Sequence, residues 1–462
     1  MNKNGELLAT YDVKKLLIKF SIPAIAGMAV NALYNFVDTF FVAKGAGEIA
    51  IGGLALAFPI QMIVMAVGLM IGMGSSSIFS RAFGEKNHEK MVKAVNTAIW
   101  LDIFLALLFT LLGFLFINPL LVFFGATSSN IGFAKDYLSI ILIGLVPLSL
   151  SMVLNNLTRA EGRANVAMIS MFIGTGLNIL LDPIFIFDFG FGLGVKGAAI
   201  ATIISQIIAF IYILSQSQSK HSSLHISFKE GIKIDGNMIF EIIAIGAPSF
   251  LRNSIGAFLA IIIYNQINRY APGDPAIYIS IYGVINRVIT FVFMPAFGLV
   301  QGLAPIVGFS YGAKNYKRLK TVITYTLKII IVYFFFGFLF VQLLAGQIFL
   351  LFSSQGNIEF INIGSTAFRT ISLGFLFVGF QILISSVYQS EGYPGRATLV
   401  ALSRQVLFFI PLVYLLSSIM GLEGIWISFA LADILSGLLS MALYFAEMKR
   451  IHLLEKNGLV LA

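Results

Sequence analysis

The chain has no cysteine, four histidines and two tryptophans among its 462 residues. Without thiols there can be no disulfide, no thiolate metal site and no cysteine nucleophile. The histidines, His88, His221, His225 and His452, all fall in polar connections between apolar runs. No HExxH helix, P-loop or GxSxG elbow is present. The sequence therefore offers no catalytic constellation, and neither an enzyme nor a bound cofactor is expected. Charge is scarce as well: charged residues make up 11% of the chain and hydrophobic ones 58%.

This balance describes an integral membrane protein, so counting domains by length does not apply. Many apolar runs reach the roughly 20 residues a helix needs to cross a bilayer. We read twelve spans, near residues 16–43, 49–80, 94–117, 134–157, 166–187 and 195–214, then 238–268, 276–310, 319–345, 363–387, 397–419 and 423–446. The second is expected to be interrupted at Pro59 and at Gly72–Ser77, and the fourth carries Pro147. The first span is too long, and too polar near its end, for a cleaved signal peptide, and is expected to remain. The net charge of +9 reflects topology and not nucleic-acid binding. Lys and Arg concentrate in alternate loops, for example Arg81, Lys86, Lys90 and Lys93. The positive-inside rule then puts both termini in the cytosol of a multi-pass protein of the cell membrane.

The spans form two copies of one plan. Pro23 near the start of span one has a counterpart in Pro248 near the start of span seven. Phe83-Gly84-Glu85-Lys86-Asn87 matches Tyr311-Gly312-Ala313-Lys314-Asn315. Arg159-Ala160-Glu161-Gly162 matches Gln389-Ser390-Glu391-Gly392, and Gly194-Val195-Lys196-Gly197 matches Gly421-Leu422-Glu423-Gly424. The expected architecture is an all-α polytopic bundle of twelve helices in two pseudo-symmetric lobes of six. Residues 1–214 form the amino-terminal lobe, 215–237 a cytosolic linker, 238–446 the carboxyl-terminal lobe and 447–462 a cytosolic tail. Parallel repeats of this kind rock against each other to give alternating access.

The polar residues inside the spans are the functional candidates. An acid costs roughly 2.5–3.5 kcal/mol at the bilayer centre and commonly marks an ion or substrate path. Asn31, Tyr34 and Asp38 share one helical face in span one, and Thr175, Asn178 and Asp182 share one in span five. Pro183 has no N–H to give the carbonyl of Ile179, which leaves that oxygen free beside a carboxylate. Thr202, Ser205 and Gln206 share a face in span six, and Asn155 and Asn156 lie at the cytosolic end of span four. We expect Asp38, Asn178, Asp182 and Thr202 to bind Na⁺ or H⁺, with Na⁺ as the metal if coupling uses sodium. Asn31, Tyr34, Asn155, Asn156, Met171 and Gln206 are the candidates for a substrate cavity, Met171 because methionine adapts to varied partners. In the second half, Asp433 is expected to pair with Arg404. Span seven offers Asn265, Gln266 and Asn268 but no acid.

The segment from Asn31 to Thr39, the run from Gly72 through Gly84, Arg159-Ala160-Glu161-Gly162 and Asn178-Ile179-Leu180-Leu181-Asp182-Pro183 together resemble the multidrug and toxic compound extrusion (MATE) transporters, in particular a MepA-like bacterial branch. The resemblance covers essentially the whole chain. It implies a V-shaped central cavity between the lobes and cation-driven antiport of organic, often cationic, compounds. It also implies ion ligands at Asp38, Asn178, Asp182 and Thr202, with Tyr34 adjacent. Some members add acids in the carboxyl-terminal lobe, which this chain lacks in span seven, so the amino-terminal lobe is the expected ion site. Partners are then drug-like small molecules and the lipid bilayer, with the chain acting as a monomer. The alternative is a lipid-linked precursor flippase, against which the small number of in-span basic residues argues.

Overall fold

The computed structural model describes residues 3–460 apart from 47, 128–129, 225–234 and 354–356. His225, Lys229 and Lys233 of the linker lie outside the described residues, as does the side chain of Tyr34. The amino-terminal half contains α1 (Lys3–Thr10), α2 (Val13–Ala46), α3 (Glu48–Gly84), α4 (His88–Leu115), α5 (Ile117–Phe123), α6 (Ile131–Ile143), α7 (Leu145–Ala160), α8 (Ala164–Ile186) and α9 (Gly194–Ser217). The second half contains α10 (Gly236–Tyr270), α11 (Pro275–Gly312), α12 (Tyr316–Phe352), α13 (Ile358–Ser372), α14 (Phe375–Glu391), α15 (Pro394–Leu402), a π-helical segment Ser403–Phe409, α16 (Ile410–Met420) and α17 (Leu422–Val460). No strand occurs among the described residues.

Ten of the described helices are long and apolar enough to cross a bilayer, and the count reaches twelve when the bent pairs α6–α7 and α13–α14 are each taken as one span. The bends are 56° and 49°, and they fall at equivalent places in the two halves. In the first, Pro147 is the cause: it cannot donate to the carbonyl of Ile143, so one helix stops there and the next begins with the proline in its first turn. The expected interruption of the second span is not found, since α3 is helical throughout residues 48–84. A proline or a small-residue run inside a buried helix costs less when neighbouring helices hold the backbone in place. α17 likewise continues through Val460, well past residue 446.

The repeat is visible in backbone detail. Among the described residues, Lys86 and Lys314 are the non-glycine residues with positive φ, at 59° and 54°, and they occupy matching positions after α3 and α11. At each corner the next residue is an asparagine that caps the following helix. Asn87 accepts from the Lys90 N–H at 3.0 Å and Asn315 from the Arg318 N–H at 3.1 Å. The left-handed residue and the cap together turn the chain back into the bundle in both halves.

The lobes meet through α3 against α10 and α2 against α11, near the end of the bundle where α2 and α10 begin. Backbones touch there. A Cβ at Gly74 would stand 2.0 Å from the carbonyl oxygen of Ile242, and one at Gly246 would stand 2.0 Å from that of Met70. Polar contacts add to this seam. Arg81 pairs with Glu241 at 3.1 Å, and the Ser77 hydroxyl donates to the Gln389 carbonyl at 2.7 Å. The start of the linker is held on the amino-terminal lobe. Buried Glu161 accepts from the Ser223 N–H at 2.6 Å and from the Ser222 hydroxyl at 3.0 Å. Burial pushes the Glu161 carboxyl above the usual carboxylate range, against the pull of Ser223, Arg163 and Ser222. On the other side of residues 225–234, Lys93 of α4 pairs with Asp235, which also caps α10.

Gly246→Ala should therefore overpack the seam at a cost of roughly 1–3 kcal/mol and lower the Tm in detergent. Gly256→Ala in the same helix, where a Cβ meets nothing within 4 Å, should leave the Tm unchanged or raise it.

Candidate functional site

The packing of α2 on α8 and of α8 on α9 is among the most extensive in the amino-terminal lobe. It carries Asp38, Asn178, Asp182 and Thr202 into one buried cluster. Asp182 is fully buried, and Asp38 is only 9% exposed. Asn178 and Asp182 are one helical turn apart, so the Asn178 side-chain N–H donates to Asp182 Oδ1 at 3.1 Å. The same amide nitrogen donates to Thr202 Oγ1 at 3.2 Å. The Asp38 and Asp182 carboxyl groups lie within hydrogen-bonding reach of each other. Asp38 Oδ1, Asp182 Oδ2 and Asn178 Oδ1 receive no hydrogen bond from the described residues.

Two ionised carboxylates repel and cannot hydrogen-bond to one another. The contact therefore calls for a proton on one of them or a cation between them. Oxygen ligands from two carboxylates, an amide and a hydroxyl suit either ion, because hard cations take carboxylate and carbonyl oxygens. Buried oxygens without donors are what such an ion would satisfy.

Between the lobes lies a cavity of about 200 Å³, lined by Met28, Met73, Asn156, Ser249, Arg252, Asn253, Gln301 and Gln389 among others. Asn156, one of the residues expected to line a substrate cavity, is on the wall of this one. Its amide oxygen accepts from Arg159 at 3.2 Å, and Arg159 with Asn156 lines a further small pocket towards the closed end. The other cavity candidates are dispersed. Asn155 is buried with its Oδ1 unsatisfied among the described residues. Met171 packs its sulfur beside Gly27 and near Arg159. Gln206 lies beside Gly174 in the contact between α8 and α9. Asn31 is partly buried on α2.

Asp102 escaped the sequence reading. It sits on α4, is almost fully buried, and accepts from the Ser149 hydroxyl of α7 at 2.6 Å. A lone acid in the middle of span three was the signal available. In the second half, Arg404 pairs with Asp433 through both carboxylate oxygens, with Arg404 Nη2 3.3 Å from Asp433 Oδ2. This is the pairing expected from sequence. Gln266 is buried and accepts from the Ser417 hydroxyl at 2.9 Å.

A duplicated twelve-span bundle with buried polar groups and a cavity between its halves defines a membrane transporter. The chain belongs to the MatE family, whose model matches residues 23–184 and again 248–415. It is 26% identical over 433 residues to the multidrug export protein MepA of Staphylococcus aureus, covering 94% of each chain. It is 27% identical over 445 residues to MepA of Staphylococcus haemolyticus, covering 95% of each. Among solved structures, an outward-facing multidrug resistance MATE transporter of the MOP superfamily superposes with a TM-score of 0.89 at 25% identity, over 98% of this chain and 99% of the other. A MATE transporter in a bent conformation gives a TM-score of 0.89 at 26% identity, over 99% of each chain.

Removing one partner of the Arg404–Asp433 pair leaves a buried charge uncompensated. Arg404→Leu should cost roughly 3–5 kcal/mol, and Arg404→Leu with Asp433→Leu markedly less, read as Tm in detergent.

Proposed function

We propose that this MATE-family transporter exports organic, often cationic, compounds by antiport, driven by Na⁺ or H⁺ entering the Asp38–Asn178–Asp182–Thr202 cluster. The observation that supports this most is the contact of two buried carboxylates whose free oxygens have no donor among the described residues. A cluster loaded with an ion is neutral enough to stay packed, whereas an emptied one repels itself. Its occupancy can thus bias which arrangement of α2 and α8 is stable. α2 also forms part of the seam between the lobes, so a change at Asp38 reaches the seam along one continuous helix. That is a bistable element which both ion and substrate can influence.

The basic corners around Lys86 and Lys314, together with Lys449 late in α17, support a cytosolic position for the seam. The protein then rests with its cavity away from the cytosol, as a monomer in the plasma membrane with both termini inside. Nucleic acid has no part in the cycle. One cation moving through 100 mV supplies roughly 2.3 kcal/mol, close to a fifty-fold gradient of an uncharged substrate; against a monovalent cationic substrate the exchange moves no net charge, and the chemical gradient of the ion drives it.

Dye efflux from proteoliposomes under separately imposed Na⁺ and pH gradients tests the proposal. One gradient should drive efflux, and Asp38→Asn and Asp182→Asn should reduce it to the rate of empty vesicles while the proteins still accumulate and fold. Undiminished coupled efflux in both variants would eliminate the cluster. Efflux that needs ATP and neither gradient would reject antiport altogether.

A further inference from the structure

We infer that the carboxyl-terminal lobe holds a site for the carboxylate of an amphiphilic organic substrate, anionic or zwitterionic, centred on Arg252. A second cavity of about 230 Å³ is lined mainly by this lobe, through Arg252, Phe293, Phe297, Gln381, Arg404 and Gln405 among others, with Met28 of α2 at its edge. It shares Arg252 and Phe297 with the cavity between the lobes, so Arg252 borders both spaces.

The charge in this space is one-sided. Neither lining includes an aspartate or a glutamate. Arg404 is neutralised by Asp433 and lies over the Phe293 ring at 5.3 Å. Arg252 has no such partner. Among the described residues no carboxylate forms an ion pair with it, and its guanidinium lies over the Phe297 ring at 5.5 Å. An arginine inside a span is costly unless paired, and such residues usually serve function. A planar carboxylate fits the guanidinium fork with two parallel hydrogen bonds, and Phe297, Ile289 and Met294 give the cavity wall apolar surface for the body beside it. The site can also bond a second polar group, since Gln405 Oε1 is buried without a donor among the described residues.

The backbone at this wall is specialised too. Arg404 and Gln405 sit on the π-helical segment Ser403–Phe409. Pro411 cannot donate to the Leu407 carbonyl, and the Ile410 N–H reaches back five residues to Gln405. Widened turns of this kind recur at functional sites. The amino-terminal lobe thus holds the acids and the carboxyl-terminal lobe an uncompensated base, and a substrate bearing a carboxylate matches the second.

This inference rests on the efflux reading only in calling the occupant a substrate. Its test is equilibrium binding in detergent with no ion gradient, so a failure of coupling leaves the result intact. The probes are rhodamine 110, which has a free carboxylate, and rhodamine 123, its methyl ester, followed by fluorescence polarisation. The wild-type protein should bind the acid more tightly than the ester. Arg252→Gln should weaken the acid by about tenfold or more, the usual range for a lost charged hydrogen bond, and change the ester less than about twofold. Arg252→Lys should fall between. Equal binding of acid and ester by the wild type, or an equal loss of both in Arg252→Gln, would overturn the inference. If Arg252→Gln does not accumulate, the wild-type preference and Arg252→Lys decide it. Displacement of rhodamine 110 by phosphatidylglycerol in mixed micelles, but not by naphthoate, would assign the pocket to lipid headgroups and also overturn it.

Discussion

Two carboxylates buried in contact cannot both remain charged unless something positive sits with them. That constraint organises the amino-terminal lobe. α2 and α8 bring Asp38 and Asp182 together, and Asn178 ties the pair to Thr202 on α9. The surrounding helices keep water away and so sharpen the repulsion. The same helix that ends near Asp38 begins in the seam between the lobes, so the electrostatic problem and the mechanical one share a single rod.

The two lobes repeat one backbone plan but differ in chemistry. The corners at Lys86 and Lys314 are built alike, and the bent pairs α6–α7 and α13–α14 correspond. The polar groups do not follow this symmetry. Asp38 and Asp182 lie against each other with Asn178 bonded to Asp182, whereas Asp433 is bound to Arg404. A duplicated scaffold has thus kept its turns and seams, which serve packing, while the interiors of its halves have diverged.

Much of this was legible in the sequence because bilayers impose length and apolarity on helices and because repeats show as matched motifs. That Asn178 and Asp182 share one face was legible too, since helical spacing gives it, and acids are rare enough inside spans to single out Asp38 and Asp182. Helix ends were not: α3, α12 and α17 continue past their apolar stretches, where caps such as Asn315 and not hydropathy set the limits. The bend in the fourth span falls at Gly144, before the proline that causes it, because the lost hydrogen bond lies one turn upstream. Contacts between distant segments were hidden as well. Arg81 meets Glu241 160 residues away, and nothing local in either segment foretells it. Asp102 was overlooked because its partner, Ser149, lies on another span.

The attachment of the connection between the lobes carries one more implication. Ser222 and Ser223 are fastened to Glu161, and Asp235 to Lys93, so both ends of the connection belong to the same lobe. The chain then passes from one lobe to the other after Asp235, within the first turns of α10, the helix whose Gly246 touches the backbone of Met70. The joint between the halves is thus a helix and not a loop.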